Sequence, residues 1–339
     1  MHFSHINSLR GIAILMVILV HTTQLFNFNP ILINHIFAYG KMGVQLFFIA
    51  SAYTLCLSSH FRENEKKHIT KFYIRRYFRI FPIYYLGILI YYLLNAYISG
   101  NTENYTFKNI VSNILFIHGL VPSANNNIVP GGWSIGTEML FYAVFPFLFS
   151  FLSSGRSFLK GGFIILISQA ILFYFQRKSN FNYEFFYFNI LNQISVFLIG
   201  ILFFLNKEKI KINKYLSGLF FIVFTILSIY ISGKEEYYKF SFKIVPVLSA
   251  VSFCFLFIVA ENSKIVNNIV FQKIGVNSYS IYIIHFILPF YFLPKMNGYI
   301  DLFFAYLLIV TSSYMVSKIL NKFIEKPFIK AGNILINKI

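Results

Sequence analysis

Ten apolar runs, each long enough to cross a bilayer, constrain this chain more than any other feature. They fall at about 8–27, 41–58, 80–98, 138–154, 161–176, 185–205, 215–232, 243–260, 274–293 and 302–321. A hydrocarbon core ~30 Å thick takes about 20 helical residues at ~1.5 Å each. Inside lipid each backbone N–H and C=O must bond within its own segment, so such runs read as helices. Composition agrees: 57% of the 339 residues are hydrophobic and 12% are charged, against roughly 25% charged in a soluble domain. The expected fold class is all-α, a polytopic membrane protein of about ten transmembrane helices. A shorter run, Ile110 to Leu120, is too brief to span and reads as a re-entrant or surface helix. With no repeat, no linker-like stretch and no small-x-small site after the first run, one transmembrane domain over 1–339 is expected, with no appended soluble domain and no cleaved leader.

The formal net charge of +18 invites a nucleic-acid reading, but the basic residues sit in short loops between apolar runs, where they set orientation. Placing the N-terminus in the cytoplasm puts 21 of the 29 Lys and Arg on the inner side and 8 on the outer. Both termini are then cytoplasmic, and the long loop from Ser99 to Gly132 faces outward. Cys56 and Cys254 lie inside apolar runs and suggest neither a disulfide framework nor a metal site. No spacing among the histidines forms a metal site either.

Within the first run, Arg10 and His21 are eleven residues apart. Eleven steps of roughly 100° return to within about 20°, so both side chains share one helix face, roughly 16 Å apart along the axis. Ionisable groups at such depth are costly and usually face the bundle interior or a water-filled cavity. Arg10 also reads as an ordinary inner-side anchor, and His21 as a buried histidine bonded to a neighbouring helix. Before the third run, Lys71, Arg75 and Arg79 recur every four residues, with Arg76 beside them. A helix would carry them as a basic stripe, suited to a phosphate-bearing ligand or simply to topology and anionic membrane lipids.

A second group follows the outer loop. Gly131 and Gly132 precede Trp133, Ser134, Glu138 and Tyr142. Ser134 can cap a helix entering at the outer boundary, which puts Glu138 roughly 6 Å below that boundary and His21 about 12 Å below it. Glu138 is then within reach of His21. Trp133 also reads as an interfacial aromatic. In the ninth run His285 follows Ser278, Tyr279 and Tyr282, about eleven residues in, at a depth near that of His21.

In order along the chain, SLRGIAILMVILVH, the second run from Gly43 to Tyr53, RRYFRIFP, WSIGTEMLFY, SYSIYIIH and EKP resemble the acyltransferase-3 family of bacterial integral-membrane acyltransferases. Asn7, where the family commonly has Asp, and Ala52 with Tyr53 in the second run depart from its pattern. The resemblance implies an O-acyltransferase of the bacterial inner membrane. It would move an acyl group, acetyl or else succinyl, from cytoplasmic acyl-CoA (acetyl-CoA) to a hydroxyl of a cell-surface glycan or its lipid-linked precursor. It implies that Arg10, Arg75, Arg76 and Arg79 hold the cofactor phosphates. It also implies that His21, oriented by Glu138, is the general base or briefly carries the acyl group itself, and that Trp133, Ser134, Tyr142 and His285 line the substrate site. Glu325 is expected to be structural, as a partner of inner-side arginines. No metal is expected. A permease or flippase for a glycan or its precursor is the rival reading, and the absence of repeats counts against it. A structural subunit of an envelope complex would leave Arg10, His21 and Glu138 without a role.

Overall fold

A computed structural model describes residues 3–26, 31–233, 238–295 and 298–339. Of the residues read above, His2, Asn27 at the end of the first run, and Lys234 lie outside these. The described residues are overwhelmingly helical and contain no strand. In chain order the helices are α1 (Ser4–Thr23), α2 (Ile31–Ala38), α3 (Gly43–Phe61), α4 (His68–Leu94), α5 (Phe107–Ile114), α6 (Gly132–Ser153), α7 (Ser157–Lys178) and α8 (Tyr183–Phe188). They continue as α9 (Ile190–Asn206), α10 (Lys214–Ser232), α11 (Tyr238–Asn262), α12 (Ile269–Val276), α13 (Ser278–Ile284), α14 (Tyr299–Leu320) and α15 (Lys326–Asn337). Nine are long and apolar enough to cross a membrane, alone or with a short neighbour, and a tenth span comes from α12 and α13 taken together, bent by 63°. Each of the ten apolar runs is mostly helical over its described residues, and Ile110 to Leu120 is a short helix followed by a single turn. The chain is a polytopic membrane protein.

Helix α1 is threaded through the centre because small residues let its neighbours come close. Gly40 and Gly43 lie against the backbone oxygens of Met16 and Ala13. On the other side Gly275 of α12 abuts the Asn7 carbonyl, and Gly11 abuts the Phe271 carbonyl. Close backbone approach of this kind is what holds helices together where lipid supplies no hydrophobic drive. The apolar faces of α3, α9 and α11 complete the core, with Phe48, Phe141, Phe197 and Phe257 fully buried. At the periphery α7 and α10 stay largely open, carrying Phe163, Leu166, Ile222 and Ile226 outward as a lipid-facing surface requires.

Two boundaries differ from the sequence expectation in ways that matter to the site. The third span begins at His68, twelve residues before the apolar run. Its first turns are amphipathic, burying Phe72, Arg76 and Ile80, and an apolar window passes over such a pattern. The fourth span begins at Gly132, six residues early, and at an unexpected level. Gly132 meets the Tyr84 hydroxyl, halfway along the 68–99 helix. Lower down, the Tyr73 hydroxyl donates to the Ala143 carbonyl at 2.7 Å, so α4 and α6 run antiparallel. The loop 100–131 therefore folds inward. Tyr84 donates to Asn113 at 2.6 Å, and His118 donates its Nε2–H to the Gly132 carbonyl at 2.9 Å. Burial lowers His118 to about 4, which keeps it neutral for that bond. Gly131 takes φ +75° beside the Tyr282 hydroxyl and the Phe286 ring. Only a residue without a side chain accepts both that backbone and that contact.

Candidate active site

The residues picked out in the sequence gather at the two ends of α1. At the Arg10 end, Arg10 and Arg79 line a cavity of about 70 Å³ with Ser51, Ser134, Glu138, Tyr142, Tyr279 and Tyr282. Glu138 Oε1 accepts from the Ser51 hydroxyl at 2.6 Å and from the Tyr142 hydroxyl. Ser51 and Tyr142 are themselves 2.9 Å apart. Glu138 is the carboxylate within electrostatic range of Arg10 and Arg76.

The arginines of α4 diverge. Arg75 Nη2 lies 2.6 Å from both carboxylate oxygens of Glu65, with Lys71 3.6 Å away. Partial burial alone would raise Glu65, but the Arg75 hydrogen bond and charge, helped by Lys71 and Arg62, outweigh it and hold Glu65 below its ordinary range. Arg76 is buried, with its guanidinium 5.8 Å from the Tyr142 ring centre and 5.7 Å from that of Phe72. Arg79 reaches the Arg10 cavity. All three, with Arg62, also line a neighbouring cavity of about 190 Å³ that is closed by Phe78, Gly332 and Asn333. Glu325, expected to pair with arginines, is held chiefly by Ser280 and Asn321, with Arg79 within electrostatic range.

At the other end His21 sits in the last turn of α1. Its Nδ1 lies 3.2 Å from Gln24 Oε1. An amide oxygen only accepts, so Nδ1 carries the proton and Nε2 is left with its lone pair. His285 is beside it, with ring centres 5.5 Å apart. His285 Nδ1 donates to the Tyr282 carbonyl at 2.8 Å, and its buried Nε2 has no partner. Phe286 packs against both rings. His21 opens on a vestibule of about 470 Å³ lined by Gln24, Asn95, Ser99, Phe290, Tyr291 and Lys295.

The structure thus brings Glu138 together with Arg10, Arg79 and Tyr142, and His21 together with His285, but it does not pair Glu138 with His21. The depth expected for Glu138 fails because α6 starts level with the middle of α4, so Glu138 lies at the level of Arg10. That is roughly 16 Å along α1 from His21. Gln24 stands where the acid was expected. Ser134 turns inward, its hydroxyl donating to the Tyr282 hydroxyl at 2.8 Å. Trp133 lies apart, its ring stacked on Phe188 at 4.5 Å and edge-on to Phe48. Tyr282, whose hydroxyl donates to the Gly131 carbonyl at 3.0 Å, stands with Phe286 between the two ends. Sequence reasoning passed over Ser51, Arg62, Gln24, Asn95 and Tyr291 as site residues. Ser51 and Gln24 fell within runs already noted. Asn95 and Tyr291 carry no local signal. Among the described residues no cluster of His, Cys, Asp or Glu could hold a metal ion.

Comparison with known proteins adds a second line. A family model described as an acyltransferase domain matches residues 3–321. A protein named putative O-acetyltransferase from Staphylococcus aureus (strain COL) is 25% identical over 363 aligned residues, covering 96% of this chain and 57% of its own length. The acyltransferase MdmB of Streptomyces mycarofaciens is 26% identical over 121 residues, which is 33% of this chain and 29% of that protein. The exopolysaccharide production protein ExoZ of Rhizobium meliloti (strain 1021) is 28% identical over 118 residues, 33% of this chain and 35% of that protein. The chain thus spans little more than half the length of the Staphylococcus relative. No solved structure matches.

Proposed function

The chain belongs to the acyltransferase-3 family, and from that premise we propose that it is a membrane O-acyltransferase, taking an acetyl group from acetyl-CoA to a hydroxyl of a cell-surface glycan or its lipid-linked precursor. Residues 1–339 work as one transmembrane unit of the bacterial cytoplasmic membrane, with the Arg10 end toward the cytoplasm, as the distribution of Lys and Arg supports. The name of ExoZ, a protein of exopolysaccharide production, supports a glycan acceptor.

The observation that carries this reading is the division of labour along α1. One end offers guanidinium groups and no free base, the other an imidazole with a fixed tautomer that faces a vestibule. The phosphates of the donor dock on Arg10, Arg62 and Arg79, with Arg76 behind them, and its acyl-bearing arm runs past Tyr282 toward His21. His21 Nε2 takes the proton of the acceptor hydroxyl, whose oxygen attacks the thioester carbonyl. The new C–O bond forms as the C–S bond breaks, and the imidazolium returns its proton to the departing thiolate. Gln24 holds the ring in the reactive tautomer. Glu138 acts on the donor side, fixing Ser51 and Tyr142 and balancing Arg10 and Arg76. The test is mass spectrometry of the envelope glycan from cells with and without the gene. Loss of one acyl mass per repeat is expected. An unacylated glycan in both strains, with less of it at the surface of the deletion strain, would overturn the enzyme in favour of a permease or flippase.

A further inference from the structure

The vestibule at His21 has an unusual construction. Among the described residues there are three π-helical turns, Asn95–Ser99, Leu288–Phe292 and Asn321–Glu325. Such turns are rare and gather at functional sites, because the extra residue per turn swings side chains off the helical register. Two of the three form facing walls of this one cavity, contributing Asn95 and Ser99 from one side and Phe290 and Tyr291 from the other. The walls are joined by a hydrogen bond from Asn95 Nδ2 to the Tyr291 hydroxyl at 2.8 Å.

The hydrogen-bond inventory of that pair is informative. Asn95 Nδ2 also lies 2.8 Å from the Tyr91 carbonyl and 3.0 Å from the Tyr105 hydroxyl. Two N–H bonds facing three oxygens are fully engaged, so what Asn95 has left to offer is its carbonyl oxygen, an acceptor. Tyr291, accepting from Asn95, keeps its O–H to donate. An acceptor and a donor side by side match a pair of neighbouring hydroxyls. Phe290 meets the His21 ring edge-on at 6.5 Å and is 49% exposed, an apolar ring face at the mouth of a polar cavity.

We infer that this vestibule is the acceptor subsite and that it recognises a sugar ring. Phe290 packs against the apolar face of the ring, and Asn95 and Tyr291 grip adjacent hydroxyls so that another points at His21. The inference rests on the acyltransferase reading above and adds where the acceptor lies and what selects it.

The test uses the full chain in nanodiscs with radiolabelled acetyl-CoA and two soluble probes. Methyl glucopyranoside presents hydroxyls on a ring, and glycerol presents hydroxyls without one. The wild type should favour the glucoside by about tenfold in kcat/KM, the equivalent of one aromatic packing contact together with one hydrogen bond. Phe290→Leu, at an exposed position where folding is not at stake, should raise the KM for the glucoside about 2- to 12-fold. Tyr291→Phe should do the same within about the same range. In both variants the KM for acetyl-CoA should stay as in the wild type. Glucoside KM values equal to wild type in both variants would overturn the subsite while leaving acyl transfer standing. Equal losses with glucoside, glycerol and acetyl-CoA would mark a structural role and overturn it too. Failure of the wild type to acetylate either probe would overturn the acyltransferase reading itself, and the subsite with it.

Discussion

Two histidine rings 5.5 Å apart, each tied at Nδ1, leave two Nε2 atoms to do chemistry. His21 faces the vestibule and His285 is buried behind it, so His21→Ala should lose about 10²–10⁴-fold in transfer rate while the protein still inserts. Glu138→Gln should instead weaken donor binding, since it removes the charge that Ser51 and Tyr142 donate to. A charge-assisted hydrogen bond is worth about 1.5–3 kcal/mol, or roughly 10- to 150-fold. Because the two residues serve opposite ends of α1, the losses in kcat/KM should multiply in the double variant. A double variant no worse than His21→Ala would mean that they act as one unit. The α4 arginines separate in the same way. Arg79→Lys keeps the charge but loses the planar fork and should raise the KM for acetyl-CoA within that range. Arg75→Lys should matter less, because the Arg75 guanidinium is already engaged by Glu65. Equal effects of the two substitutions in a donor titration would sink this assignment. Arg10 and His21 were legible because helical periodicity alone puts them on one face. Glu138 was misjudged because its depth was measured from a boundary where α6 does not begin. What sets that depth is a buried network of Tyr84, Asn113 and His118, and no spacing rule reveals it.

Among the elements, the crossing of α1 and α12 does most to fix the site, since α1 carries both Arg10 and His21. A β-carbon on Gly275 would lie 1.8 Å from the Asn7 carbonyl oxygen, and one on Gly11 would lie 2.2 Å from that of Phe271. Neither backbone can yield without moving α1. Gly275→Ala should therefore cost about 1–3 kcal/mol or more, read as a lowered thermal transition in detergent, and should disturb donor and acceptor KM together. Gly218→Ala on α10, where nothing lies within 4 Å, should change stability by less than about 1 kcal/mol. Similar behaviour of the two variants would remove the crossing from the account. The ten spans were readable because lipid demands continuous apolar length. The bend between α12 and α13 and the amphipathic start of α4 were not, because a hydropathy window averages over both.

For the molecule as a whole, orientation comes first. Single cysteines introduced between Arg62 and Lys67, and between Asn101 and Gly132, should react with an impermeant thiol reagent from opposite sides, the first from the cytoplasm only. Labelling of the first loop from outside would reverse the placement of donor and acceptor. The separation of the two cavities along α1 then has an electrical consequence. In the proposed reaction an acyl group travels outward in formal exchange for a hydroxyl proton travelling inward, and each side ends with the charge it began with. Turnover is therefore silent in current, and its equilibrium does not depend on the voltage across the bilayer. In proteoliposomes a potassium-diffusion potential of either sign should leave the final extent of acylation unchanged. One uncompensated charge would shift that equilibrium by about 2.3 kcal/mol per 100 mV, or roughly 50-fold, and a shift of that size would mean that something charged crosses with the acyl group. Cells with a collapsed membrane potential should still decorate their surface as long as the thioester lasts.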